Sequence, residues 1–265
     1  MSDILPISSR VPLATDNGAA IGTLPPLAEV RSQRHSATVR ATHWLTTLAF
    51  LALLVTGVEI LISHPRFYWG ETGNVNMTPL FSFHIPSSRG SVPTGYGYVL
   101  PDQNGWSRYL HFQSAWLLVL TGLVYVAYGI FKGHFRRNLF PDAADLSPGR
   151  LAKAIAAQLH FRRPSKESAW SYNLIQRLTY LLVIFVLFPI IILTGLSMSP
   201  AFNSAFPFVV AIFGGRQSAR TLHFFASVLL VIFLLVHVFM VFLAGFRTRV
   251  GAMITGRLTR SKERT

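Results

Sequence analysis

The sequence predicts an all-α membrane protein, a bundle of four transmembrane helices with both chain ends in the cytoplasm. Three observations carry that prediction. Four runs are long and apolar enough to cross a bilayer, and the basic residues gather in alternate connecting segments. Hydrophobic residues fill 51% of 265 positions, more than an ordinary soluble domain carries.

A helix needs about 20 apolar residues to cross the hydrocarbon core. Segments 43–63, 109–131, 174–197 and 221–246 meet that length. Four crossings bring the chain back to the side it left. A further apolar stretch, Phe202 to Phe213, is about a dozen residues long and ends in Gly214 and Gly215, which predicts an interfacial or re-entrant segment instead of a fifth span.

Of the 24 Lys and Arg, 19 fall in the N-terminal arm, the 132–177 loop and the C-terminal tail, against five in 64–108 and 198–220. Positive charge marks the cytoplasmic side, so both termini are expected there, in a bacterial inner membrane. A formal charge of +14 would point to nucleic acid in a soluble chain. Here the charges flank apolar runs and face membrane lipid, and no nucleic-acid partner is expected.

Residues 1–38 read as a cytoplasmic arm, because Pro6, Pro12, Pro25 and Pro26 break its apolar patches and leave no continuous secretory core. The membrane domain follows over 39–250, with a basic cytoplasmic tail over 251–265. In the cytoplasmic loop between the second and third spans, Ser147-Pro148-Gly149-Arg150 precedes LAKAIAAQLHF, the pattern of an N-cap, a first-turn proline and an amphipathic helix on the membrane surface. The outer segment from His64 to Arg108 is rich in Gly, Pro and Ser and carries Tyr96, Tyr98 and Trp106. A connection that long suggests a docking surface.

The chemistry lies in the histidines. Polar side chains are costly in the hydrocarbon region and need partners, and His43, His111, His223 and His237 sit at or within span ends. His223 and His237 are 14 residues apart, which at about 100° per residue returns them to within about 40° of one face, about 21 Å apart along the axis. The direction of each span then pairs His43 with His237 at an inner level and His111 with His223 at an outer one. Two pairs at two depths suit two flat macrocycles, each with its iron held from both sides, better than one zinc or copper cluster. The expected cofactors are therefore two haem groups. With no cysteine in the chain, they are held without thioether attachment, and the protein has no disulfide and no iron–sulfur cluster of its own.

His64 is a rival ligand on nearly the same face as His43, but it lies about 10 Å beyond the level of His223. Gly57, Gly122 and Gly195 each follow a threonine within a span. Two readings stay open for them: room for a haem face, or close helix packing. Arg40, Arg108 and Arg220 stand three residues before His43, His111 and His223, where they could pair with haem propionates or reach to lipid headgroups. Glu59, near the outer end of the first span, suits proton handling near a quinone or an outer salt bridge.

Arg40-Ala-Thr-His43-Trp44, Arg108-Tyr-Leu-His111 and Arg220-Thr-Leu-His223-Phe224 with His237 resemble the prokaryotic di-haem cytochrome b family. That family includes the b-type subunit of nickel-iron hydrogenase, the gamma subunit of formate dehydrogenase and bacterial cytochrome b-561. The resemblance covers residues 35–250. It implies two b haems on those four histidines, and exchange with menaquinone or ubiquinone beside one haem. It also implies an extracytoplasmic redox partner, a molybdopterin enzyme first and a hydrogenase second. Two other readings compete: a free-standing quinol oxidase that reduces a small acceptor such as superoxide, and a haem-free transporter or membrane anchor.

Overall fold

The computed structural model describes residues 32–33, 35–74, 76–85, 91–93, 99–101, 105–159 and 174–258. Most of the arm expected over 1–38, the loop residues Tyr96 and Tyr98, and His160 and Phe161 lie outside the described residues, as does the end of the tail from 259.

Helix α1, Ala37–Ser63, starts where the Ser36 hydroxyl accepts a hydrogen bond from the Val39 N–H at 3.3 Å. Thr42, Ala49 and Thr56 recur every seven residues and are buried, while Leu48 and Val55 on other faces are exposed. A narrow stripe of small residues thus faces the protein and the remaining surface is left for lipid. After α1, strand β2 (Arg66–Phe67) pairs with β3 (Phe81–Ser82), and β4 (Ser91–Pro93) with β5 (Val99–Pro101), both antiparallel.

Helix α2, Gly105–Phe131, repeats the pattern with Ser107, Ser114 and Thr121 buried at the same seven-residue interval, and it packs along α1. Two short helices follow, α3 (His134–Asn138) and α4 (Pro148–Leu159). Pro148 opens α4 as expected, and Arg150 pairs with Asp145 at 2.9 Å.

The third span is one helix in three pieces: α5 (Leu174–Leu182), a π-helical turn (Val183–Leu187) and α6 (Phe188–Ser197). Pro189 has no N–H to give and its ring crowds the preceding turn. The π turn absorbs that conflict, as the Phe188 N–H reaches back five residues to the Val183 carbonyl. Helix α6 packs along the fourth span, α9 (Arg216–Leu243).

The stretch Phe202–Phe213 forms no span. It lies within two six-residue helices, α7 (Pro200–Ala205) and α8 (Pro207–Ile212), apart from Phe206 and Phe213. Among the described residues, four helices are long and apolar enough to cross a membrane, as the sequence predicts. Their limits differ by a few residues: α1 begins at Ala37, α2 at Gly105, and α9 runs from Arg216 to Leu243 instead of 221–246. Beyond α9, α10 (Phe246–Thr255) leads into β6 (Arg257–Leu258), which pairs antiparallel with β1 (Ser32–Gln33).

The two ends of the bundle are fastened differently. At the β1–β6 end, the Arg40 guanidinium donates to the Ile254 carbonyl at 2.8 Å and the Trp44 indole to the Met253 carbonyl at 3.2 Å. At the β2–β3 end the loop after α1 docks on the start of α9. Gly70 donates to the Ser218 hydroxyl at 2.7 Å, Gln217 donates to the Gly70 carbonyl at 3.0 Å, and Thr221 donates to the Tyr68 carbonyl at 2.8 Å. The approach requires glycine at 215, where φ is +110° and a Cβ would stand 2.5 Å from the Gly70 carbonyl carbon. Midway, Val183, Leu187 and Leu230 form an apolar core with Phe50, Phe188, Ile191 and Phe233 around it.

Candidate functional site

Helix α9 carries two histidines seven residues to either side of buried Leu230, so the apolar core separates two polar levels. At one level, His237 meets His43 of α1 with ring centres 6.4 Å apart. At the other, His223 meets His111 of α2, also with ring centres 6.4 Å apart. The structure therefore makes both pairings that depth suggested.

A metal–imidazole bond of about 2 Å puts two ring centres on opposite sides of one ion about 6 Å apart. Each pair has that separation. Among the described residues no three His, Cys, Asp or Glu side chains gather. The donor set is thus two imidazoles per level, which fits a planar macrocycle that supplies the other four ligands to its own iron.

The β2–β3 level is built from all four spans. Thr56 of α1 places its hydroxyl 2.9 Å from His111 Nδ1, and Thr194 of α6 places its own 3.1 Å from His223 Nδ1. Both hydroxyls also lie 2.7 Å from the carbonyl four residues back, on Ala52 and Ile190. The glycines next to these threonines sit against the rings. A Cβ on Gly57 would meet His111 Cε1 at 3.7 Å, and one on Gly195 would meet His223 Cε1 at 3.3 Å. Gly122 differs, since a Cβ there would meet no protein atom within 4 Å.

The β1–β6 level is more aromatic. Trp44 meets the His43 ring edge-on at 5.3 Å, while Phe233 stacks on His237 at 5.7 Å and Tyr180 approaches at 6.3 Å. His43 Nδ1 is buried without a hydrogen-bond partner among the described residues. The neighbouring Thr47 hydroxyl is turned to the His43 carbonyl at 2.8 Å.

The three arginines at equal offsets have different surroundings. Arg40 is tied to Ile254, as above. Arg220 donates to the His64 carbonyl and lies over the Phe67 ring, 5.0 Å from its centre. Arg108 is exposed at the same end. His64 joins neither histidine pair and caps α1. Burial, then the charges of Arg220 and Arg108, hold its imidazole below the ordinary range, with a smaller opposing effect of a hydrogen bond at the Ile60 backbone. Glu59 is half-buried in the last turns of α1.

Sequence reasoning missed the hydroxyl partners of the histidines. Their signal was present as the Thr-Gly pairs, which were read only for the glycine. It also missed Phe67, Phe81, Phe83 and Phe224, whose rings pack together with centres 4.7 to 6.2 Å apart. That cluster joins a loop to a helix, so no periodicity reveals it.

Comparison with known proteins adds two findings. The family model for prokaryotic cytochrome b561 matches residues 34–256. A protein of Azospira oryzae, provisionally named protein-methionine-sulfoxide reductase subunit YedZ1, is 31% identical over 222 residues, which cover 84% of this chain and 96% of the relative. No solved structure gives a match.

Proposed function

The chain belongs to the prokaryotic cytochrome b561 family, and from that premise we propose that it carries electrons between the quinone pool and an extracytoplasmic redox enzyme through two b haems. It is a multi-pass protein of the bacterial inner membrane, with four spans. The reading rests on one observation, the two imidazole pairs with ring centres 6.4 Å apart at separate depths.

His43 and His237 hold one haem and His111 and His223 the other. Haem b, when bound, supplies one-electron redox chemistry, and ligation from both sides leaves no open position for oxygen. The protein's own residues do the rest. Leu230, Val183 and Leu187 keep water out between the levels. Arg108 and Arg220 lie where they can hold the propionates at the β2–β3 end, and Gly122 leaves room beside the bundle for a flat face. Arg40 contributes at the other end through donors not used on Ile254.

The distribution of Lys and Arg supports an orientation with the β1–β6 end and both termini in the cytoplasm and the β2–β3 end outside. The outer partner docks on the loop between α1 and α2, beside exposed Trp69 and Trp106. The name of the Azospira relative makes a protein-methionine-sulfoxide reductase the first partner to try. A molybdopterin enzyme is the expected class, ahead of a hydrogenase.

The test is a pyridine haemochrome assay with a dithionite-reduced spectrum on the purified protein. Two haem b per chain are expected, oxidised again by a quinone analogue. A chain without haem would return the protein to the transporter or anchor class. Stable purification without a partner, with superoxide as acceptor, would favour the free-standing quinol oxidase.

A further inference from the structure

A threonine hydroxyl has one hydrogen to give and can accept others. Thr56 and Thr194 each lie 2.7 Å from a carbonyl in the preceding turn, the usual length for an O–H donor. Their contacts with His111 Nδ1 at 2.9 Å and His223 Nδ1 at 3.1 Å have the usual length for an N–H donor. The assignment follows from donor count: each hydroxyl donates to its own helix and accepts from the ring, so Nδ1 carries the proton. Nε2 is then left with its lone pair. Both threonines are fully buried, so water does not compete for these bonds.

We propose that Thr56 and Thr194 are positioning residues that fix His111 and His223 as Nδ1–H tautomers, aim Nε2 at the iron, and lower the reduction potential of that site. The inference rests on the di-haem reading. An oxygen that accepts from Nδ1–H makes the imidazole a stronger donor, which favours the oxidised metal. At the other level, His43 Nδ1 has no such partner among the described residues.

The experiment compares full-length Thr56→Val/Thr194→Val with Thr56→Ser/Thr194→Ser. Haem content and a potentiometric titration of the reduced band are measured in detergent. The Val pair is expected to raise the potential of one haem and leave the other unchanged, or to shed that haem alone. The Ser pair is expected to keep wild-type content and potential. Unchanged titration of the Val pair at full haem content would overturn the proposal. So would loss of haem in both pairs, because shape and not the hydroxyl would then be responsible. A wild-type chain without haem would instead remove the functional reading on which the proposal stands.

Discussion

His111 and His223 come from α2 and α9, yet the groups that orient them come from α1 and α6, so neither ring is supported by its own helix. A span that carries no ligand at this level still determines how the ligand points.

Replacement of one histidine at each level should separate the two sites. His237→Ala is expected to bring haem content from two per chain to one and to leave the His111–His223 site largely intact, because the core around Leu230 lies between them. His111→Ala should give the converse loss. Spectra with two distinct ligand environments, resolved by electron paramagnetic resonance, will show which haem remains. Unchanged content in either variant rejects the ligand assignment.

The three Thr-Gly glycines should respond unequally to alanine. At Gly195 the new methyl meets His223 at 3.3 Å, so the ring must give way, at a cost of about 1–3 kcal/mol for an overpacked contact. At Gly57 the corresponding distance is 3.7 Å, an ordinary contact, and stability should barely change. Gly122→Ala meets no protein atom. Weaker haem retention in that variant, with thermal stability of the haem-free protein unchanged, will identify Gly122 as a haem contact.

Arg220→Gln should loosen the cover over the β2–β3 end. It removes a charged donor from the His64 carbonyl and the cation from above Phe67. A hydrogen bond to a charged group is worth about 1.5–3 kcal/mol. The expected result is a lower Tm in detergent and faster proteolysis of the loop after α1. Arg108→Gln, at an exposed position, should leave Tm unchanged and affect only the haem at that end.

The sign of one pH effect follows from His64. Its folded pKa is depressed, so as pH falls below its unfolded value of about 6.5 the unfolded chain binds a proton that the folded protein does not. Its contribution to stability is complete above that pH and declines on acidification. His134 has the same sign, from burial and the Arg137 charge. The drop in Tm between pH 8 and pH 5 should shrink in His64→Gln, whose backbone carbonyl still receives Arg220.

The four spans and both histidine pairings were legible because membrane helices have simple periodicity and because depth fixes level. His64 was set aside on the same ground, and it stands outside both pairs. The roles of the three arginines were not legible. Equal offsets along a helix say nothing about which loop will fold over the end, and the loop after α1 places His64 and Phe67 under Arg220. The hydroxyl support of the rings was hidden for a related reason, since it crosses between helices that share no sequence neighbourhood.

The π turn at Val183–Leu187 also sets a phase along the third span. One extra residue per turn shifts every later side chain around the helix by about 100° relative to a regular count. Thr194 lies after that shift, so with this sequence it meets His223 only because the turn is π-helical and not α-helical. Removal of a single residue between 183 and 187 would let the turn close as ordinary α-helix and keep Thr194 and Gly195 facing the ring they serve, so this turn is the place where the span can lose a residue without losing its phase.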